Sequence, residues 1–381
     1  MNGTKVRIIE KYDDFIRLED QWDELVESNR VNHAFMKHSW FCHWIESFEA
    51  ANNLHLVTKW SDGQLVAVAP CMRRILRYRG IKTRGISFIS SDISPRCNFI
   101  VADTDYMEPL FEELLSAKSW DVIFTENLEA DLEVTNTYLD YVRTRKKPYQ
   151  IQADPGLESP YLDTEGTWQE YLDSLTKSMQ KRLQRMCLRR LEKSGDWRMN
   201  RIRTAAEFER FRLAMFDISA NSWKAEGDCH LREDTHMGKM YSSYTPVAVE
   251  KELVRLYVLS IKGKPVGFEY LLSGNGRLSL IRCDYDEAYS YYSPGNTLRM
   301  LILSELFDDD KVREYDFGGD PYPYKLEWTK KTRKHVTITV GNDNLSGRFV
   351  MAAKNLVLPI MRSCRLPAKP DEGHFWNGNA R

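Results

Sequence analysis

At 381 residues the chain is long enough for two domains, and a composition 42% hydrophobic and 29% charged is that of a folded protein, not a disordered one. Its formal net charge of −1 excludes an overall field for nucleic acid or an anionic membrane, so any basic site must be local. Seven cysteines (42, 71, 97, 187, 229, 283 and 364), odd in number and never in a C-x-x-C pair, exclude a disulfide scaffold and point to a reducing compartment.

The opening stretch, MNGTKVRIIEKYDD, lacks the apolar core of a signal peptide, and no apolar run reaches the roughly 20 residues of a membrane span, so a cytoplasmic protein is expected. KVRIIE (5–10) alternates like a strand. Phe15, Leu18, Trp22 and Leu25 follow at helical spacing, and Trp40, Phe41, Trp44, Ile45 and Phe48 mark a helix near 39–50. HLVTKW, QLVAVAPCM, TRGISFI and NFIVA read as strands, and a helix near 107–117 leads to the strand WDVIFTEN. These elements make an α/β unit over 1–152. ADPGLESPY holds turn residues and little pattern, so a linker is expected over 153–165.

The theme then restarts, over 166–345. TWQEYLDSL is a short helix. KSMQKRLQRMCLRRLEKSG is a longer one, with the apolar stripe Leu175, Met179, Leu183 and Met186 and a crowd of cations. The strand DWRMNRIR and helices near 205–220 and 236–250 precede three strands, ELVRLYVLSIK, KPVGFEYLLSG and GRLSLIRCDYD, joined by glycine hairpins. SPGNTLRMLILSELF is a helix, VREYDF a strand and RKHVTITVG a last strand. The tail, 346–381, is apolar with cations at intervals. It fits either a helix docked on its own domain or an interfacial helix giving peripheral membrane contact.

Asp316-Phe317-Gly318 invites comparison with a kinase, but no H-R-D-L-x-x-x-N loop precedes it and no glycine-rich phosphate loop opens the chain. More informative is YYSPGNTLRMLI, where a loop through Ser293, Gly295, Asn296 and Thr297 runs straight into an apolar-periodic helix. Glycine admits a ligand to the backbone, and a helix start with its free N–H groups attracts an anion; the same letters would also serve as a plain helix cap.

On SMQKRLQRMCLRRLEKSG, NSWKAEG, YDEAYSYYSPGNTL and YDFGGDPYPYKLEW in the second half, and HAFMKHSWFCHWIESF with DGQLVAVAPCMRR in the first, the chain resembles the GNAT-superfamily proteins of the CelD/BcsL acetyltransferase type. These are similar in turn to the Fem-type aminoacyltransferases. The resemblance implies an α/β (α+β) fold of tandem GNAT domains, with mixed, mostly antiparallel sheets flanked by helices. It implies acyl-CoA as co-substrate, bound in the second domain at Ser293, Gly295, Asn296 and Thr297. The first domain lacks an equivalent loop and would serve as scaffold and one wall of the acceptor cleft.

Candidate proton acceptors are Asp316 and Asp320, flanking a glycine pair at a strand end; Glu269, inside the strand PVGFEYLL; and Asp284, ending the next strand. Turn chemistry accounts equally for the two aspartates around the glycines. Lys325, after a Pro- and Tyr-rich loop, could bind an anionic group or steady a developing oxyanion, and with Tyr324 and Trp328 it belongs to the family pattern. The resemblance further implies that Lys181 and Arg182 face phosphates of a nucleotide-linked substrate and that Trp223 lines the acceptor side. Cys283 lacks a partner that would make it a nucleophile. The histidines and Cys229 lack metal-site spacing, so no metal is expected.

The expected activity is transfer of an acetyl or longer acyl group to an amine: an amino sugar, a nucleotide-sugar or cell-envelope glycan precursor, or a lipid amine. Alternatives are Fem-like transfer from aminoacyl-tRNA, against which the net charge argues, and a silent scaffold in a polysaccharide-synthesis assembly. No DNA partner is expected.

Overall fold

The computed structural model describes residues 5–353 except 30–32, 79, 92, 93, 95 and 146–148. In the first half, β1 (Lys5–Ile9) leads through helices α1 (Tyr12–Ile16), α2 (Glu19–Ser28) and α3 (His38–Ser47) to β2 (Leu56–Ser61), β3 (Gln64–Ala69), β4 (Cys71–Tyr78), β5 (Ile81–Phe88) and β6 (Ile100–Val101). Helix α4 (Met107–Ser116), β7 (Val122–Glu129) and α5 (Glu133–Thr144) complete it. The second half runs β8 (Gln150–Asp163), α6 (Trp168–Ser174), α7 (Lys177–Arg182), a π-helical segment (Leu183–Leu188), α8 (Arg189–Lys193), β9 (Trp197–Ile202), α9 (Ala205–Ala220) and α10 (His236–Glu250). Then come β10 (Val254–Ile261), β11 (Lys264–Gly274), β12 (Arg277–Tyr285), α11 (Pro294–Leu306), β13 (Glu314–Asp316), α12 (Pro323–Leu326), β14 (Thr332–Gly341) and α13 (Leu345–Ala352).

Local chemistry explains many of these boundaries. Thr167 with Glu170, and Thr204 with Glu207, form reciprocal capping boxes that start α6 and α9. The hairpins β10–β11 and β11–β12 turn on Lys262-Gly263 and Asn275-Gly276, all four residues at positive φ as a two-residue hairpin turn demands.

Strands β1, β2, β3 and β6 form one sheet, and the other ten a second, in the order β4-β5-β7-β14-β8-β13-β12-β11-β10-β9. In each half a helix joins a parallel strand pair: α4 between β5 and β7, α11 between β12 and β13. This is the repeated mixed sheet with flanking helices that the sequence pattern suggests.

The stretch 153–165, expected as a linker, lies instead largely within β8. Its first part pairs with β14 from Gln150 to Pro160, and its end pairs with β13 from Tyr161 to Asp163. Strand β14 is thus inserted between β7 and β8. Gly156 eases the fit, because a Cβ there would crowd the Asn127 side chain and the His335 backbone. The ladder shifts register opposite this point, between Lys334 and Val336.

Two cores result. One runs from α2 and α3 through α9 and α10 to one face of β10–β11, with Trp40 meeting the Tyr244 ring edge-on at 5.1 Å. The other lies under α11 on the opposite face, closed by α7, the π segment and α8. The long basic helix runs through a π segment, and its buried stripe is Met179, Leu183, Cys187 and Leu191, so Cys187 replaces the expected Met186. Among the described residues no helix is long and apolar enough to cross a membrane. Of the expected tail, α13 accounts for the beginning; residues 354–381, with Cys364, lie outside the described residues.

Candidate functional site

The site is built where β12 and β13 part. The two strands share only the pairs from Arg277–Glu314 to Ser279–Asp316. At the next step Gly318 presses against the Leu280 carbonyl so closely that a Cβ would collide with it. Gly318 and Gly319 both take positive φ, 61° and 54°, which turns the chain away and leaves Ile281–Tyr285 of β12 without a ladder partner on that side.

Helix α11 starts at the same end of β12. Ser293 occupies its N-cap in the left-handed region, at φ 48° and ψ 54°, and no side chain caps the helix. The Ser293 hydroxyl is buried with no hydrogen-bond partner. Thr297 is turned inward, donating its hydroxyl to the Tyr292 carbonyl at 2.8 Å, while Gly295 and Asn296 are partly exposed. A Cβ on Gly295 would meet only the Tyr285 ring, at 3.5 Å. An uncapped helix start with an orphaned hydroxyl fits an anion. Beside it α8 delivers Arg190, which donates to the Tyr291 carbonyl at 2.7 Å and lies 4.5 Å over the Tyr291 ring. The sequence alone places Arg190 in a charge-rich helix but does not single it out, because its partner lies about a hundred residues away.

Lys325, on the short α12, is 5% exposed. Its ammonium donates to the Gly318 carbonyl and sits 5.3 and 5.9 Å over the rings of Tyr322 and Tyr324, which lie nearly parallel to each other. Burial lowers its pKa to about 8; Arg299 pushes the same way, while Cys283, Asp316 and Asp320 oppose it. Asp320, half-buried at the turn, is the nearby carboxylate that makes no ion pair among the described residues.

The other three candidate carboxylates are engaged. Glu269 is fully buried, 2.7 Å from Arg299 of α11, and accepts the Tyr315 hydroxyl at 2.7 Å. Asp284 is surrounded by Lys224 (2.6 Å) from the turn after α9, Arg282 (2.7 Å) of its own strand and the Ser219 hydroxyl (2.7 Å) of α9. Burial pushes its pKa up, but the two cations outweigh that and hold it below the usual range. Asp316 is fully buried and paired bidentately with Arg96, with Arg333 at 3.3 Å. Against the burial penalty, Arg96 holds its carboxyl down to about 2. Carboxylates held down in this way, as Asp284 and Asp316 are, make poor proton acceptors near neutrality; Glu269 is occupied by Arg299 and Tyr315.

The structure does not bring the remaining candidates to Lys325 as free phosphate or acceptor groups. Lys181 is exposed on α7. Arg182 is tied to Glu327, at 2.9 Å through Nη1, so it fastens α7 to the turn after α12. Trp223 is half-buried on the α9 face, with the Lys224 ammonium 6.0 Å over its ring. A groove of about 490 Å³ lies between α6, the π segment and α11, lined by Trp168, Leu172, Leu183, Leu188, Met300 and Leu301. It lies away from Ser293 along α11 and is no part of this site. Among the described residues no group of three or more His, Cys, Asp or Glu is arranged to hold a metal.

This arrangement of uncapped helix, parted strands and lysine turn falls within residues 177–326, which match the model of the acetyltransferase (GNAT) domain. The domain is that of an acyltransferase, and it implies an acyl-CoA co-substrate. No curated protein matches the chain. Among solved structures, the chain is similar to the C-terminal domain of an Agrobacterium fabrum protein described as a lysylphosphatidylglycerol synthetase, at 12% identity and TM-score 0.55, covering 91% of this chain and 98% of that one. It is similar also to FemX, at 11% identity and TM-score 0.54, covering 84% and 95%. L-PGS from Bacillus licheniformis matches at 11% identity and TM-score 0.51, covering 89% and 97%. At such identities the likeness is one of fold, and it extends over both halves of the chain, beyond the GNAT domain itself.

Proposed function

We propose that the chain transfers an acyl group from acyl-CoA to the amine of an amino sugar, a nucleotide-sugar or envelope-glycan precursor, or a lipid. The observation that carries this reading is the bare start of α11, with the orphaned Ser293 hydroxyl and Gly295 at the mouth of the parted strands. Backbone N–H groups there, with Ser293 and Arg190, would hold the diphosphate. Bound acyl-CoA supplies an activated acyl group as its thioester.

The chain's own residues supply the rest. The Lys325 ammonium, fixed on the Gly318 carbonyl beside the Tyr322 and Tyr324 rings, would offer positive charge to a carbonyl oxygen gaining electron density. An amine arrives protonated and must lose that proton before it can attack, and Asp320, half-buried beside Lys325, is the carboxylate we assign to receive it. The first half would serve as scaffold and one wall of the acceptor cleft.

Calorimetric titration with acetyl-CoA, a longer acyl-CoA and tRNA tests the reading. Saturable binding of a CoA thioester, lost in Gly295→Trp, is the expected result. Binding of tRNA alone would replace it with aminoacyl transfer, and silence to all three would leave a non-catalytic scaffold.

A further inference from the structure

A run of contacts leads from the first half of the chain to the lysine. Arg96, in the loop between β5 and β6, is 4% exposed and crosses to the second half. It donates to both oxygens of Asp316, one at 2.8 Å, and to the Ser159 hydroxyl of β8 at 2.8 Å. The second of those Asp316 oxygens, Oδ1, also accepts the Gly318 backbone N–H at 2.8 Å. The Gly318 carbonyl, the other end of the same residue, receives the Lys325 ammonium. One carboxylate and one ammonium thus grip the two polar groups of a glycine that no side chain could replace, since a Cβ there would strike Leu280.

We infer that Arg96 is a positioning residue: through Asp316 it sets the Gly318–Gly319 turn and so places the Lys325 ammonium at the parted strands. The first half, which lacks a phosphate loop of its own, thereby completes the site of the second. Arg333 also reaches Asp316, but at 3.3 Å and through a guanidinium shared with Glu129 and Glu314. Arg96 is the partner that engages both oxygens, so it fixes the carboxylate's orientation as well as its charge.

The groups facing Lys325 are Cys283 from β12, Arg299 from α11 with its partner Glu269, Asp316 and Asp320 from the glycine turn, and the Tyr322 and Tyr324 rings. Loss of the Arg96 charge leaves Asp316 less neutralised and the turn looser, so water reaches the ammonium. Both changes favour the protonated lysine and move its titration upward.

The test uses the full chain carrying Arg96→Met and Arg96→Lys. Lysines are dimethylated with carbon-13 formaldehyde, the Lys325 signal is assigned by its loss in Lys325→Arg, and its titration is followed by NMR. The expected result in Arg96→Met is an upward shift of about one pH unit, with Arg96→Lys between it and the parent. Turnover with acyl-CoA should fall about tenfold or more as Lys325 is misplaced, with KM for the thioester nearly unchanged because the phosphate site is untouched. Should Arg96→Met fail to fold, Ser159→Ala, which removes one Arg96 hydrogen bond, should give a smaller shift in the same direction. An unmoved Lys325 titration in folded variants overturns the inference and leaves Arg96 a clamp between the halves. The rate arm rests on the acyl-transfer reading, whereas the titration arm does not. A shifted titration in a protein that turns over no thioester would sink that reading and keep this one.

Discussion

Arg299 of α11 meets Glu269 of β11 at 2.7 Å, with both side chains almost completely shielded from solvent. The pair ties α11, whose start is the proposed phosphate site, to the middle of the sheet beneath it. Removing one member strands the other in a medium of low polarity. Glu269→Gln should therefore cost about 3–5 kcal/mol of stability, read as a lower denaturation midpoint, while the pH dependence of turnover keeps its shape. Loss of turnover with unchanged stability would instead make Glu269 the proton acceptor.

Lys325 should govern the alkaline side of the rate profile. Its pKa stands near 8, so the charged form is present below that value and is lost as pH rises through it. If the ammonium is the working species, kcat/KM should fall above about pH 8 by tenfold per unit. Lys325→Met should reduce turnover by about a hundredfold or more, as loss of an oxyanion donor does. A rate that rises through pH 8 to a plateau would make the neutral amine a base.

Gly295 offers a separation of folding from binding. A carboxylate in the first turn of a helix favours the helix dipole, so Gly295→Glu should not lower the melting temperature. The same charge opposes a diphosphate, so the dissociation constant for acetyl-CoA should rise by about a hundredfold. Gly295→Ala adds a methyl that meets only the Tyr285 ring at ordinary contact distance, and its fold should be undisturbed. Equal acetyl-CoA binding by Gly295→Glu and the parent protein, measured by calorimetry, would place the diphosphate elsewhere.

Arg190 should contribute affinity and little else. Arg190→Ala should weaken acyl-CoA binding about tenfold and reduce its salt dependence, with kcat at saturation unchanged. A fall in kcat without loss of affinity would place Arg190 in the chemistry and not at the phosphates.

The junction between the halves should be sensitive to acid. His335 of β14 is buried, and that burial, with Arg96 beside it, lowers its pKa to about 4. The unfolded chain therefore binds a proton between roughly pH 6.5 and 4 that the folded chain refuses, so stability falls as pH falls through that window. The single group is worth about 3 kcal/mol across it. Melting curves from pH 7.5 to 4.5 should show the decline, and His335→Gln should flatten it. An identical slope in the variant would exclude His335 as its source.

Much of the architecture was readable from periodicity. The hairpins with paired positive-φ turns, the apolar face of α11 and the glycine-led entry to it all depend on neighbours in sequence. What escaped depends on distant partners. Pro155, Gly156 and Pro160 look like turn residues, yet β8 accommodates all three, Pro155 and Gly156 beside a register shift where a Cβ at 156 would be crowded. Asp316 looks like a strand-end acid, and its role is decided by an arginine 220 positions earlier. Arg299 carried a signal that went unused: a lone cation within the apolar run of a helix must face a buried carboxylate or leave the core.

Strand β14 lies between β7 and β8, although some two hundred residues separate β7 from it in the chain. While a ribosome is still making the chain, β7 and β8 each wait with an open edge for a segment that emerges well after both. A fragment ending before Thr332 would keep both edges bare, an invitation to self-association. The two halves are thus bound to a common fate: neither can finish until β14 has been made.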